Sequence, residues 1–171
     1  MRAFRVWAPK PRRVELFVGG QRLAMKQSER GWWELAGVAA EAGMRYGFAL
    51  DGGEVRPDPR SPSQPDGVLG LSEVVDHTAY AWNDGDWRGK ELEGAVLYEL
   101  HPGTFSADGT FDGIIEHLPH LVRLGVDAIE LMPVAEFSGD RGWGYDGADL
   151  FAPHHVYGGP PGLKRLVDAC H

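Results

Sequence analysis

Two neighbouring clusters hold the residues best suited to chemistry: Gly142-Trp143-Gly144-Tyr145-Asp146-Gly147 and Phe151-Ala152-Pro153-His154-His155. Aromatic side chains set between glycines can lie flat against the apolar C–H faces of a sugar ring, while a nearby carboxylate holds hydroxyl groups. Trp143, Tyr145 and Asp146 are therefore candidate sugar-binding residues. The same pattern also fits a loop that Trp143 and Tyr145 simply hold down by packing. His154 and His155 are adjacent, but no third ligand stands at metal spacing, so neither a metal site nor a cofactor is expected.

These clusters lie in a long segment, Pro133 to Pro160, between two regularly patterned stretches. Connections in α/β units usually take about 2 to 6 residues, and longer ones are often functional. Ahead of it, 95–100 and 126–132 are nearly continuous apolar runs, the signature of strands buried on both faces of a parallel sheet. Between the runs, Ile114, Ile115, Leu118, Leu121 and Val122 recur at helical spacing, with Thr110 or Asp112 as N-cap and Gly125 just past the end. The pattern predicts strand, helix, strand. Pro119 removes one backbone hydrogen bond, so a kink or a late helix start is expected. A second helix is expected from about Pro161, with Leu163, Leu166, Val167 and Cys170 on one face. Such a parallel arrangement puts the loop after the second strand where ligands bind.

The first half reads differently. Phe4, Val6 and Ala8, then Val14, Leu16 and Val18, then Tyr46, Phe48 and Leu50 alternate with polar residues, which predicts half-buried strands. Turn residues at Pro9-Lys10-Pro11, Gly19-Gly20 and Asp51-Gly52-Gly53 give the spacing of a small antiparallel sandwich. Residues 56–70, with four prolines, are expected to form an ordered loop or linker, followed by a last strand at 73–75 and an aromatic-rich tether. Trp32 and Trp33 are adjacent, so in a strand they face opposite ways. One is expected in the core, and the other at an interface between domains or as a sugar platform.

Composition narrows the function classes. The 171 residues carry 17 Lys plus Arg against 25 Asp plus Glu, a formal net charge of -8 without a basic run, which argues against nucleic acid as a partner. No stretch is long and apolar enough to suggest a membrane partner. The single cysteine, Cys170, excludes an intrachain disulfide and a Cys-based metal cage, and a cytoplasmic location is the expectation.

Several strings in fixed order resemble one family: Tyr98-Glu99-Leu100-His101, Gly103-Thr104-Phe105, Ile129-Glu130-Leu131-Met132-Pro133-Val134, Trp143-Gly144-Tyr145-Asp146-Gly147 and Tyr157-Gly158-Gly159-Pro160 before Gly162-Leu163-Lys164. Together they are similar to the start of the catalytic barrel of the α-amylase superfamily, glycoside hydrolase family 13. Phe4-Arg5-Val6-Trp7-Ala8-Pro9, Pro57-Asp58-Pro59-Arg60-Ser61, Trp82-Asn83-Asp84 and Trp87-Arg88-Gly89 resemble the immunoglobulin-like domain that precedes the barrel in trehalose-releasing members.

The resemblance implies a fold class: an all-β immunoglobulin-like sandwich, of the early-set or glycogen-binding-module kind, with linker over residues 1–89. The first two β/α units of an incomplete (β/α)8 TIM barrel would follow over 90–171, stopping before the third strand. It also implies a retaining hydrolase that releases trehalose from maltooligosyl trehalose by cleaving the adjacent α-1,4 bond. Two carboxyls carry such a double displacement, and the family places them after the fourth and fifth strands, so Glu130, Asp146 and Asp149 are given neither role. No catalytic residue is expected in this chain, which should be inactive alone. By resemblance Tyr145 stacks on the glucose ring just before the scissile bond. Asp146, which follows it, also fits a loop cap, and core support is favoured for Trp143. His101 either faces the pocket or, preferably, hydrogen-bonds within the barrel. A branching or debranching enzyme fragment and a non-catalytic α-glucan-binding module are the alternatives. The open edge of the second strand invites self-association.

Overall fold

A computed structural model describes residues 2–171. Eight antiparallel strands make up the front of the chain: β1 (Arg2–Trp7), β2 (Val14–Val18), β3 (Gln21–Ala24), β4 (Lys26–Gln27), β5 (Trp32–Val38), β6 (Arg45–Leu50), β7 (Val55–Arg56) and β8 (Ser72–Glu73). They form a sheet of order β1-β5-β4 and a second of order β3-β2-β6-β7, with β8 also paired to β6. One core lies between the sheets, because alternate residues of the strands point inward, with a register irregularity in β5 between Leu35 and Val38: Phe4 and Val6 from β1, Val14, Leu16 and Val18 from β2, Trp33 and Val38 from β5, Tyr46 and Phe48 from β6. The apolar alternation anticipated β1, β2 and β6. β3 and β7 were invisible to it, since Gln21, Arg22 and Arg56 lie at sheet edges in water.

Trp33 is the buried member of its pair and donates its indole N–H to the Ala8 carbonyl at 2.9 Å. Trp32 lies on the other face, where the Arg5 guanidinium sits 4.9 Å from its ring centre. A cation on the neighbouring strand packs against it.

The proline-rich loop is ordered by buried polar contacts. The Tyr46 hydroxyl donates to Asp58 at 2.9 Å, the Asp58 backbone N–H donates to the Ser72 hydroxyl at 2.8 Å, and that hydroxyl donates to Gln64 Oε1 at 2.7 Å. Prolines lower the freedom of the unfolded loop and supply no N–H of their own to satisfy.

The second half starts with β9 (Leu97–Leu100), a one-turn helix α1 (Pro102–Phe105), α2 (Phe111–Leu124) and β10 (Ala128–Leu131), and β10 pairs with β9 in parallel. Thr110 caps α2 by accepting the Gly113 N–H, and Gly125 ends it in the left-handed region at φ 85°. The expected late start is not observed: α2 begins at Phe111 and runs unbroken through Pro119. Leu121 is buried and Leu118 joins the same core beside Pro119, so packing offsets the missing hydrogen bond.

The expectation of strands buried on both faces is also corrected. Only Leu100 is buried, while Leu97 is about half exposed, because α2 covers one face of the β9–β10 pair and nothing among the described residues covers the other.

The segment 133–160 is not one loop. It contains β11 (Ala135–Glu136) and β12 (Asp149–Pro153), an antiparallel ladder, and leads to α3 (Gly159–Cys170). Leu166 of α3 is buried and Leu163 packs beside it, but Cys170 is exposed.

The tether between the halves is fastened to the end of α3. Asp168 accepts the Asn83 backbone N–H at 2.7 Å and its amide at 2.8 Å, and Trp87 stacks on His171 with ring centres 4.6 Å apart. Among the described residues no helix is long and apolar enough to cross a membrane.

Candidate functional site

The β11–β12 ladder carries 137–148 as a projecting loop, and the candidate sugar-binding residues sit at its tip. Trp143 is 75% and Tyr145 72% exposed, and Asp146 is exposed as well. Among the described residues neither aromatic packs into the core. Glycines let the loop lie down instead. Gly144 is buried with φ +84°, and a Cβ there would collide with the Pro133 carbonyl; a Cβ on Gly142 would meet the Phe137 ring at 2.9 Å. Close backbone approach leaves the aromatics free to face outward.

His101 pins this loop to the end of β9. Its Nε2 lies 2.8 Å from the Gly142 carbonyl oxygen, which can only accept, so Nε2 carries the hydrogen and Nδ1 accepts from the Thr104 hydroxyl at 3.2 Å. The Tyr157 hydroxyl oxygen stands 3.2 Å from the same Nε2. Burial first, then the Asp146 carboxylate, pushes the Tyr157 phenol above its ordinary range. Tyr157 therefore links His101, through its hydroxyl, to the field of the Asp146 carboxylate. His101 hydrogen-bonds within the fold, as the sequence favoured. Tyr157, fully buried, carried no signal of a role in the site beyond its place in a motif.

A second cluster occupies the base of the same hairpin. Glu136 and His154 are 0% exposed. Glu136 Oε1 accepts from His155 Nδ1 at 2.8 Å, and Oε2 accepts the His155 backbone N–H at 2.8 Å. His154 Nδ1 lies 3.2 Å from the same Oε1, yet both ring nitrogens of His154 lack a hydrogen-bond partner of proper geometry. Its ring stacks on Phe137, with centres 3.8 Å apart. Burial pushes the Glu136 carboxyl up, but the His154 imidazole and the backbone and ring of His155 outweigh it, so Glu136 titrates below its ordinary range. Asp149, opposite Glu136 in the ladder, goes the other way: burial raises it, and the Glu136 charge adds to that.

The expectation that His154 and His155 lack a third ligand at metal spacing is corrected here. Glu136 stands beside them, and one ligand atom from each of the three residues lies within 4.8 Å of the other two. Sequence spacing hid it because the hairpin, not a helix, brings residues 19 apart together.

Comparisons agree with this architecture. Residues 63–171 match the family described as Alpha amylase, catalytic domain. Over its full length the chain is 54% identical to a malto-oligosyltrehalose trehalohydrolase of Mycobacterium tuberculosis, of which it covers 30%. An Arthrobacter ramosus protein of the same name is 50% identical over 99% of the chain, again with 30% of the relative covered. A crystal structure from Salmonella typhimurium, assigned by its name to the alpha amylases, superposes with a TM-score of 0.96 at 46% identity, covering 99% of this chain and 29% of that one. The chain thus spans about 30% of the length of the curated relatives it matches.

Proposed function

Because the chain belongs to the alpha-amylase catalytic-domain family, we propose that it serves as the amino-terminal part of a retaining glycoside hydrolase that releases trehalose from maltooligosyl trehalose. The observation that carries this reading is the 54% identity running the whole length of the chain to a malto-oligosyltrehalose trehalohydrolase. It favours that activity over branching, debranching or plain glucan binding. In this reading residues 1–89 are an immunoglobulin-like sandwich with linker, and 90–171 are the first two β/α units of a (β/α)8 barrel. The family match begins earlier, at residue 63, although β8 within it pairs with β6 of the front sheet.

The working parts divide accordingly. Two carboxyls about 5 to 5.5 Å apart, one ionised and one protonated, perform a retaining double displacement, and these belong to the remainder of the polypeptide. This chain contributes the sugar platform. Tyr145 stacks against the glucose ring just before the scissile α-1,4 bond, Asp146 holds hydroxyls, and Trp143 extends the apolar surface. His101 and the buried glycines keep that surface in place, so substrate binding does not have to order it. The protein acts in the cytoplasm on a soluble α-glucan. The uncovered edge of β10 is a self-association surface whenever further strands are absent.

The test uses the chain and the complete polypeptide side by side. The 171-residue chain releases no trehalose from maltooligosyl trehalose, while the complete polypeptide does. An aromatic contact is worth about 0.5 to 1.5 kcal/mol, so Tyr145→Ala in the complete polypeptide lowers kcat/KM by roughly twofold to tenfold at least. Turnover by the purified 171-residue chain, or an unchanged kcat/KM in the Tyr145→Ala variant, refutes the assignment.

A further inference from the structure

We propose that Glu136, His154 and His155 bind one divalent metal ion of the zinc class at the base of the β11–β12 hairpin. The three donors converge by construction: the Ala135 and Pro153 pairing brings the residue after β11's first position beside the two that follow β12. Glu136 Oε1 lies 2.8 Å from His155 Nδ1 and 3.2 Å from His154 Nδ1. His154 points its Nδ1 at that oxygen without a hydrogen bond, although it is fully buried, and its Nε2 is equally unpartnered. Buried polar nitrogens are nearly always satisfied, so two orphans on one ring ask for a partner. Beside the buried Glu136 carboxylate, Asp149 across the ladder adds a second buried carboxyl whose Oδ2 has no partner. A dication gives His154 Nδ1 a partner and offsets the charge of the neighbouring carboxylates.

The donor set selects the ion. Two imidazoles and one carboxylate suit zinc, cobalt or nickel, whereas calcium and magnesium prefer oxygen throughout. Bonds of about 2.0 to 2.2 Å at tetrahedral angles put ligand atoms about 3.3 to 3.5 Å apart. The 3.2 Å separation already fits, and the 2.8 Å one opens by about half an ångström, which half-buried His155 has room to do. Ligation requires a lone pair on His155 Nδ1. The proton that Nδ1 now donates to Glu136 transfers to Nε2, or leaves to solvent if the ring was protonated, and no other bond changes. Three protein ligands leave a fourth position for water. The ion ties together the two strands from which the loop bearing Trp143 and Tyr145 projects, so it stiffens that loop. The proposal is independent of the reaction assigned above, since all three donors lie within this chain.

Metal-free chain is titrated with cobalt(II) alone and then with zinc(II), following visible absorption and equilibrium dialysis. One equivalent of cobalt binds with the intense visible bands of a tetrahedral site, zinc displaces it, and calcium and magnesium do neither. His155→Ala weakens binding by at least roughly tenfold, while His120→Ala, on the exposed face of α2, leaves it unchanged. Histidine ring 15N shifts of the unaltered chain give a readout that needs no variant: zinc moves Nδ1 of His154 and His155 together. Absence of stoichiometric binding by the folded chain, binding retained in His155→Ala, or zinc-induced shifts confined to other histidines overturns the proposal.

Discussion

Replacing Gly144 with alanine tests whether the loop is held down by backbone contact. Any L residue at φ +84° costs about 1 to 2 kcal/mol. Gly139, in the same loop, has φ +85° but nothing within 4 Å of its added Cβ. Gly139→Ala therefore reports the conformational cost alone, about 1 to 2 kcal/mol. At Gly144 the new Cβ meets the Pro133 carbonyl oxygen, with the carbonyl carbon at 2.9 Å. Both are backbone atoms, so no rotamer change relieves the contact. Forced overpacking of this kind adds about 1 to 3 kcal/mol. The expected result is a destabilisation of about 2 to 5 kcal/mol for Gly144→Ala, or about 1 to 3 beyond the Gly139→Ala control. At roughly 2 to 4 °C per kcal/mol for a chain this size, thermal denaturation followed by near-ultraviolet circular dichroism separates them, because Trp143 and Tyr145 flank the site. Equal losses in the two variants would show that the loop yields freely and that Gly144 does not anchor it.

Other perturbations have equally definite signs. Asp149→Asn in the metal-free chain raises stability at pH 7 by about 1 kcal/mol or more, since it removes a buried charge with an unpartnered oxygen beside Glu136. The folded-state pKa of Asp149 is raised, so the unaltered chain regains that loss as pH falls through it, and the gain measured by urea denaturation shrinks toward pH 4; a gain constant with pH sinks the explanation. Glu136 and Asp112 move the opposite way: burial opposes but neighbouring imidazoles lower Glu136, and the Arg165 hydrogen bond lowers Asp112. Their stabilisation is present above the ordinary carboxylate range and lost as pH falls through their depressed values. Glu136→Gln should flatten the acid limb of the stability curve more than Asp112→Asn, whose pair with Arg165 is half exposed and worth below about 1 kcal/mol. Trp33→Phe strands the Ala8 carbonyl and costs about 1 to 3 kcal/mol, whereas Trp7→Phe, exposed where water replaces its bond to the Arg30 carbonyl, costs much less; matched losses in chemical denaturation would contradict the burial pattern.

Local rules made much of this fold readable. Thr110 and Gly125 bracket α2 because capping is decided within one turn of chain, and the alternation of Val14, Leu16 and Val18 survives because a half-buried strand obeys period 2. The site was half legible. Glycines beside Trp143 and Tyr145 announced a loop, but which way the rings faced depended on how the segment folds back so that Pro133 and Phe137 meet Gly144 and Gly142, which no periodicity encodes. Pro119 misled for the same reason: helix propensity argues against it, and the core around Leu118 and Leu121 overrides propensity. Glu136 was missed because a two-residue strand has no period to recognise, and its partners are set by hairpin register.

The fastening of Asn83 to Asp168 has a consequence for how the protein is made. The two residues are 85 positions apart. All the strands of the two front sheets are complete by Glu73, so their core can close while translation continues. At about 5 to 20 residues per second, the segment around Asn83 waits about 4 to 17 seconds on the ribosome for Asp168 to be synthesised. During that interval Trp87 has no His171 to stack on, and Tyr80 has no α3 beside it. Nascent chains stalled after residues 80–87 have left the exit tunnel, but before α3 has, should therefore expose an aromatic stretch to chaperones and proteases, and should lose that exposure once α3 has cleared the tunnel.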